Sequence, residues 1–364
     1  MHAYNGGMDR SHRSAATTIR MIARVALAPW WIAQIATKAK SFRDNPVLGN
    51  PTLNGWGLHV ARRRAAAWLA ERRRKRLSAH VAPVELEFFD RNGYFIRRNA
   101  LRAEAFDALR REIEAMHGPA REMRQGPALT RRIGLDDAQL AGMPATRVFV
   151  KDEGVRALVH YAASYRGEPT FAVQSIISEK SPAARDPQTV FHSDTFHPTA
   201  KSWLFLVDVG ASEGPFAYVP GSHRLTEERL AWEREQSLGA RDSTDQMQTE
   251  GSFRIDEAEL VALGLPSPLR FAVPANTLII ADTSGFHART PSPKPTCRVE
   301  VYATLRRTPF IPWVGGHSIA MPPISGRHTA LDSALQQTLE RLGFGRSPWR
   351  PVGPVGAFDS PRDR

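Results

Sequence analysis

The sequence predicts a mainly β protein with flanking helices. Six β-favouring segments lie between residues 171 and 305, and several are separated by Gly, Pro, Asn or Asp turns, which is typical of a sandwich or barrel of short strands. A charged, helix-favouring segment at 224–268 interrupts them. The excess positive charge is confined to the first 81 residues, which separates an N-terminal extension from the rest of the chain.

The composition is that of a globular protein with a sizeable core. Of the 364 residues, 42% are hydrophobic and 24% are charged. The single cysteine excludes an intrachain disulfide, and nothing in the sequence points to an oxidising compartment. We therefore expect a cytoplasmic protein.

The N-terminal extension, residues 1–81, carries the whole net charge of +12, with 15 Lys and Arg against three acidic residues. Its segment 21–36, MIARVALAPWWIAQIA, is interrupted by Arg24 and Pro29. A bilayer span needs roughly 20 apolar residues, so this segment is too short and too charged to cross. Trp30 and Trp31 instead suit an amphipathic helix that lies in a membrane interface.

The second basic segment, 59–77, predicts a helix with Ala61, Ala65, Trp68 and Leu69 on one face, flanked by arginine-rich clusters. Two interpretations remain open. The helix packs on the domain that follows it, with a solvated basic face, or residues 20–80 attach the protein to the inner face of an anionic membrane. Nucleic acid is not expected as a partner, because no known nucleic-acid motif accompanies the charge.

A shift in composition near residue 82 predicts a second domain over 82–325. We expect a strand at 94–97, a helix at 102–116, and then strands at 171–178, 202–209, 216–220, 269–274, 277–282 and 298–305. Residues 224–268 are predicted to form a helical insertion or lid between strands. Residues 326–364 are expected to form a C-terminal helix and an irregular, Pro- and Gly-rich tail.

The residues that indicate chemistry lie in FHSDTF (191–196) and GFHAR (285–289). On an extended strand, side chains two residues apart point to the same face, so His192 and Asp194 can reach one ion. His287, which follows the strand 277–282, is placed to supply the second imidazole. Two imidazoles and one carboxylate on one face of a metal leave three positions open, as in non-haem iron(II) oxygenases.

A fourth residue strengthens this interpretation, because an H-x-D pair alone arises easily by chance. Arg298 opens the strand 298–305, eleven residues beyond His287. A buried co-substrate carboxylate needs a fixed cationic partner, and a guanidinium group provides a bidentate one. His197, three residues past Asp194, is either a structural or pocket-wall residue or a substrate contact.

The sequence resembles the phytanoyl-CoA dioxygenase family of iron(II)/2-oxoglutarate oxygenases over about residues 85–310. The resemblance rests on FFDRNGYFIRRNAL, FHSDTF, EGPFAYVPGSHR and ANTLIIADTSGFHARTPSPKPTCRVEVY. It implies a double-stranded β-helix (jelly-roll or cupin-like) core, with the basic helical extension added in front. It further implies Fe(II) held by His192, Asp194 and His287, and 2-oxoglutarate held by Arg298, with Trp203, Gln174 and Arg289 as further candidate contacts.

The implied activity is that of a dioxygenase that hydroxylates a small or lipid-linked metabolite. Relatives that halogenate lack the carboxylate ligand, whereas Asp194 occupies that position here. A coenzyme A thioester is not expected as the substrate, because the formally neutral catalytic domain suggests no cationic patch for a nucleotide phosphate. The alternative is a non-catalytic jelly-roll protein that binds a sugar or a protein partner.

Overall fold

The computed structural model describes residues 27–179, 186–315 and 347–361, with isolated positions between 331 and 341. Most of these residues form two antiparallel sheets with helices packed on one side. The strands are β1 Tyr94–Arg97, β2 His117–Gln125, β3 Ala128–Gly134, β4 Thr170–Ser178, β5 Ala200–Phe205, β6 Phe216–Tyr218, β7 Leu269–Arg270, β8 Leu278–Asp282, β9 His287–Arg289, β10 Thr296–Leu305 and β11 Arg350–Gly356.

The larger sheet has eight strands in the order β1-β8-β5-β10-β4-β3-β2-β11, and the smaller has three in the order β7-β6-β9. Every pairing is antiparallel. Strand β4 lies inside the larger sheet, and its central residues are buried on both faces. This arrangement of two facing sheets confirms the predicted mainly β, jelly-roll core.

Alternating side chains divide the core into two layers. Trp203 of β5 contributes to an aromatic-rich cluster between the sheets, with Phe216, Tyr218 and Tyr302. Its neighbour Leu204 contributes to the cluster between the larger sheet and the helices. Because adjacent strand residues point to opposite faces, the two clusters follow from the same strands.

The helices that cover this second cluster were only partly predicted. The helix expected at 102–116 is present, whereas those at 83–92, 144–150 and 153–163 were not predicted. The α-helices are α1 Pro51–Gly55, α2 Leu58–Leu77, α3 Pro83–Asn92, α4 Ala103–Ala115, α5 Asp137–Leu140, α6 Pro144–Val150, α7 Glu153–Ala163, α8 Glu227–Gly239, α9 Gln246–Thr249 and α10 Glu257–Ala262.

The insertion 224–268 is helical as predicted, since α8, α9 and α10 all fall within it. Helix α8 begins at a Thr226 cap, whose side chain accepts a hydrogen bond from the amide of Arg229. Helix α10 begins with a reciprocal capping box between Asp256 and Glu259. These local signals explain why the segment forms helices rather than continuing the strand pattern.

Helix α2 packs on the domain through the face opposite to the predicted one. Trp68, expected on the buried apolar face, is 53% exposed. The buried positions include Arg62, Ala66, Ala70 and Arg73. The prediction of the buried face was wrong because it ranked residues by hydrophobicity, whereas the arginines have buried partners that the sequence does not reveal.

Two of these arginines bind backbone carbonyl groups. The Arg62 guanidinium donates to the carbonyls of residues 35, 37 and 39 at 2.7–3.1 Å. Arg73 donates to the carbonyls of Ser164, Pro309 and Ile311 at 2.7–2.9 Å. Part of the basic charge of the extension is therefore internal to the fold.

Two other arginines of the same helix pair with buried carboxylates. Arg63 lies 3.4 Å from Glu233 of α8, and Arg74 lies 2.7 Å from Asp282 at the end of β8. Residues 27–33, which precede this region, are helical, and Trp30 is 62% exposed. None of the helices in the described ranges is both long and apolar enough to span a bilayer.

The sequence did not predict three strands at one edge of the larger sheet. Strands β2 and β3 form a hairpin, and β11 pairs with β2. The expectation of an irregular tail after Trp349 was wrong over Arg350–Gly356, because an edge strand tolerates the prolines at 351 and 354. The predicted C-terminal helix lies largely outside the described residues, as do positions 1–26.

Candidate metal centre and its pocket

Two short backbone pairings bring the predicted metal ligands together. His192 and His287 form an isolated antiparallel bridge, in which each amide donates to the carbonyl of the other at 3.0 Å. The amide of Asp194 donates to the carbonyl of Thr283 at 2.9 Å. Segment 191–196 is thus anchored to both ends of the turn that links β8 to β9.

The distances between donor atoms fit a single ion. Oδ1 of Asp194 lies 3.6 Å from Nε2 of His287 and 4.0 Å from Nε2 of His192, and all three donor atoms lie within 4.8 Å of one another. Transition metals bind such donors at about 2.0–2.2 Å, so two donors on one ion are at most about 4.4 Å apart. Both distances to Oδ1 meet this limit.

Hydrogen bonds orient both imidazoles toward the same point. Nδ1 of His192 lies 2.8 Å from the carbonyl of Val190, and Nδ1 of His287 lies 3.0 Å from the carbonyl of Gly285. A carbonyl only accepts, so each Nδ1 carries the proton and each neutral ring presents an Nε2 lone pair. Burial holds the pKa of His192 well below its usual value, which keeps this ring neutral.

The arrangement is incomplete without a cation. Nε2 of His287 is buried and has no hydrogen-bond partner among the described residues. Two lone pairs and a carboxylate oxygen face one another, which is unfavourable unless a positive charge lies between them. The donor set therefore fits a divalent transition metal.

Two lysines that the sequence did not single out contact Asp194. Nζ of Lys201 lies 2.6 Å from Oδ2, which leaves Oδ1 directed at the imidazoles. Nζ of Lys40, from the N-terminal extension, donates to the Asp194 carbonyl at 2.7 Å. Burial opposes ionisation of Asp194, but the ammonium group of Lys201 holds the pKa of its carboxyl group well below the usual value.

The same three ligands line a pocket of ≈ 200 Å³. Every residue expected to contact the co-substrate also lines it, namely Arg298, Trp203, Gln174 and Arg289. Met247 of the insertion reaches the pocket as well. The volume is below the roughly 300–1,000 Å³ of drug-sized sites, so the pocket suits a small ligand.

A hydrogen-bonded row crosses the pocket wall from β3 to β10. Arg132 donates to Gln174 at 2.8 Å, and Gln174 donates to Glu300 at 2.8 Å. Arg298 donates from Nε to the other Glu300 oxygen at 3.0 Å. Glu300 is fully buried, so it fixes the Arg298 guanidinium from below. Arg289 is held separately, through a 3.0 Å contact with Asp186.

The pocket brings together charges that lie far apart in the sequence. Arg132, Lys201, Arg289 and Arg298 all line it, at one end of the larger sheet. The last three of these cations are each paired with a carboxylate.

A comparison with models of protein families finds one match. Residues 89–259 match the model described as phytanoyl-CoA dioxygenase (PhyH). This part of the chain is therefore similar to the phytanoyl-CoA dioxygenase family. The resemblance expected from the sequence is thereby confirmed. The matched range includes His192 and Asp194 and ends before His287 and Arg298, which the fold brings to the same pocket.

Several solved structures are similar to part of this chain. The alpha-ketoglutarate-dependent epimerase SnoN from nogalamycin biosynthesis is 20% identical, with 61% of this chain and 81% of SnoN covered and a TM-score of 0.41. HygX from Streptomyces hygroscopicus, with nickel and 2-oxoglutarate bound, is 15% identical, with 68% and 94% covered and a TM-score of 0.39. No curated protein sequence matches the chain significantly.

Proposed function

We propose that this protein is an iron(II)- and 2-oxoglutarate-dependent dioxygenase. The observation that carries the proposal is the convergence of two Nε2 lone pairs and one carboxylate oxygen in a buried pocket that also contains Arg298. His192, Asp194 and His287 would hold the iron. Iron with 2-oxoglutarate supplies oxidation of an unactivated C–H bond by dioxygen, with succinate and carbon dioxide as the co-products.

Other residues of the pocket would orient the metal ligands and bind the co-substrate. Lys201 holds Oδ2 of Asp194, so that the carboxylate presents Oδ1 to the ion. Arg298 would bind the distal carboxylate of 2-oxoglutarate, because its guanidinium is 7% exposed and fixed by Glu300. Trp203 and Gln174 are buried beside it and would exclude water and shape the co-substrate site.

We further propose hydroxylation of a small or lipid-linked metabolite as the reaction. Asp194 supports this assignment, because the carboxylate occupies the coordination position that halogenating relatives leave to chloride. The small pocket limits the part of the substrate that approaches the metal, and four cationic side chains around it favour an anionic or polar group. Lipid linkage and attachment of residues 20–80 to an anionic membrane remain hypotheses.

The decisive experiment is the formation of succinate from 2-oxoglutarate by protein loaded anaerobically with iron(II), in the presence of pools of candidate metabolites. Turnover that requires both iron and 2-oxoglutarate, and that Asp194→Ala abolishes, would support the proposal. Metal binding without any consumption of 2-oxoglutarate would contradict it. That result would favour the alternative of a jelly-roll binding protein, for which the retained donor set has no evident use.

A further inference from the structure

A second cavity lies behind the metal-binding segment. Its volume is ≈ 420 Å³, and it shares no lining residue with the metal pocket. Thr195 and His197 line it from one side, and residues 38–45 of the extension line it from the other. Because successive residues of an extended segment point to opposite sides, the cavity lies on the face opposite to the Asp194 carboxylate.

Two cations of this cavity have no carboxylate partner. Lys40 is partly buried, and its hydrogen bond to the Asp194 carbonyl involves a neutral acceptor. Arg306 follows β10 and is exposed. Within the described ranges, neither side chain forms an ion pair. Burial is the main cause that lowers the pKa of Lys40 to about 8; Asp194 and Glu250 attract its charge, whereas Arg306 and Lys201 repel it.

The two acidic residues of the lining share one guanidinium partner. Arg43 lies 3.3 Å from carboxylate oxygens of both Asp44 and Glu250. Ser41 donates a further hydrogen bond to Asp44, and Gln246 donates one to Glu250. The lining still carries more cationic than acidic side chains, because Lys38, Lys40 and Arg306 face only these two carboxylates among the lining residues.

The cavity also contains a polar group that has no hydrogen-bond partner among the described residues. This group is Oγ1 of Thr195, a residue that is 2% exposed. A buried hydroxyl without a partner is uncommon and costs stability unless water or a ligand binds it. This hydroxyl can donate to the same ligand that the two cations attract.

We propose that this cavity is a second ligand site, which binds an oxyanion such as a phosphate or carboxylate group between Lys40 and Arg306, with Thr195 as an additional donor. An anion compensates a buried ammonium group, and a guanidinium group binds such oxygens in pairs. The site is separate from the metal pocket, and the proposal does not depend on the oxygenase function.

The test uses the full chain with inorganic phosphate and, in a parallel arm, acetate, both at constant ionic strength. Binding is measured by calorimetry and by the shift in unfolding temperature. Saturable phosphate binding is expected, and Lys40→Met and Arg306→Met should each weaken it about tenfold or more, because charge-assisted hydrogen bonds are lost. Tighter binding of phosphate than of acetate identifies a phosphate group as the ligand chemistry, and the reverse identifies a carboxylate.

Two control variants separate this site from other cations. Arg298→Met removes a cation of the metal pocket, and Arg76→Met removes an exposed cation of α2. Both should bind phosphate within about twofold of the wild type. Wild-type affinity in Arg306→Met, or a loss confined to Arg298→Met, would overturn the proposal. Absence of saturable binding of either anion by the wild type would do the same.

Thr195→Val provides a variant that is expected to fold, because it removes a hydroxyl that has no partner. It should leave the unfolding temperature unchanged or higher in the absence of anion, and weaken anion binding about threefold or more. Unchanged anion affinity in this variant would contradict the assignment of the hydroxyl to the site.

Discussion

Replacement of Arg298 tests the proposed co-substrate site most directly. The guanidinium is buried beside the metal ligands and is fixed by the fully buried Glu300. Loss of a buried, hydrogen-bonded charge pair costs about 2–5 kcal/mol, which corresponds to about 30-fold or more in affinity. We therefore expect Arg298→Met to raise the 2-oxoglutarate requirement by at least this factor, measured as succinate formed against 2-oxoglutarate concentration.

The controls separate co-substrate binding from stability and from metal binding. Arg298→Met leaves the Glu300 carboxylate buried with only Gln174 as a partner, which would destabilise the fold. The double variant Arg298→Met with Glu300→Gln removes the unpaired carboxylate charge. It should therefore recover stability but not 2-oxoglutarate binding. Nickel affinity, measured by calorimetry, should change little. An unchanged 2-oxoglutarate requirement in Arg298→Met would refute the assigned role.

Three further predictions follow from other parts of the structure. Asp194→Ala should abolish metal binding and coupled turnover, and nickel affinity near that of the wild type would contradict the ligand assignment. Arg73→Met leaves three carbonyls without their donor and should lower the free energy of unfolding by about 3 kcal/mol or more in urea titrations; a loss below 1 kcal/mol would show that water replaces the guanidinium. Burial lowers the pKa of His197 to about 3, so the unfolded state gains a proton first and stability should fall by about 2 kcal/mol between pH 8 and pH 5. His197→Gln should lack this part of the decrease, and an equal pH dependence in both proteins would exclude it.

The core strands were predictable because their side chains alternate and their boundaries contain turn residues. Strand β1 was expected at the observed residues, and β4 and β10 were expected within two residues of their observed ends. Strand β2 was missed because HGPAREMRQ lacks the β-branched and aromatic residues on which strand prediction depends. It forms because β3 and β11 pair with it on both sides, which local sequence does not reveal.

The proposed metal ligands could be singled out from the sequence because they form a short motif with a chemical rationale. Lys201 and Lys40 were not, although one signal existed for Lys201. It lies two residues before Trp203 on β5, so both side chains point to the same face of the sheet. Lys40 contacts a residue 154 positions away in the sequence, and no spacing rule predicts such a pair.

The buried arginines of α2 determine where the protein can be divided. A chain that begins at residue 82 would contain the whole matched range 89–259, yet Glu233 and Asp282 would lose the cations of α2 that approach them. The carbonyls around Ser164 and Pro309 would also lose their donor. We therefore expect a chain that begins at residue 82 to be less stable than one that retains the extension at least from Lys40 onward.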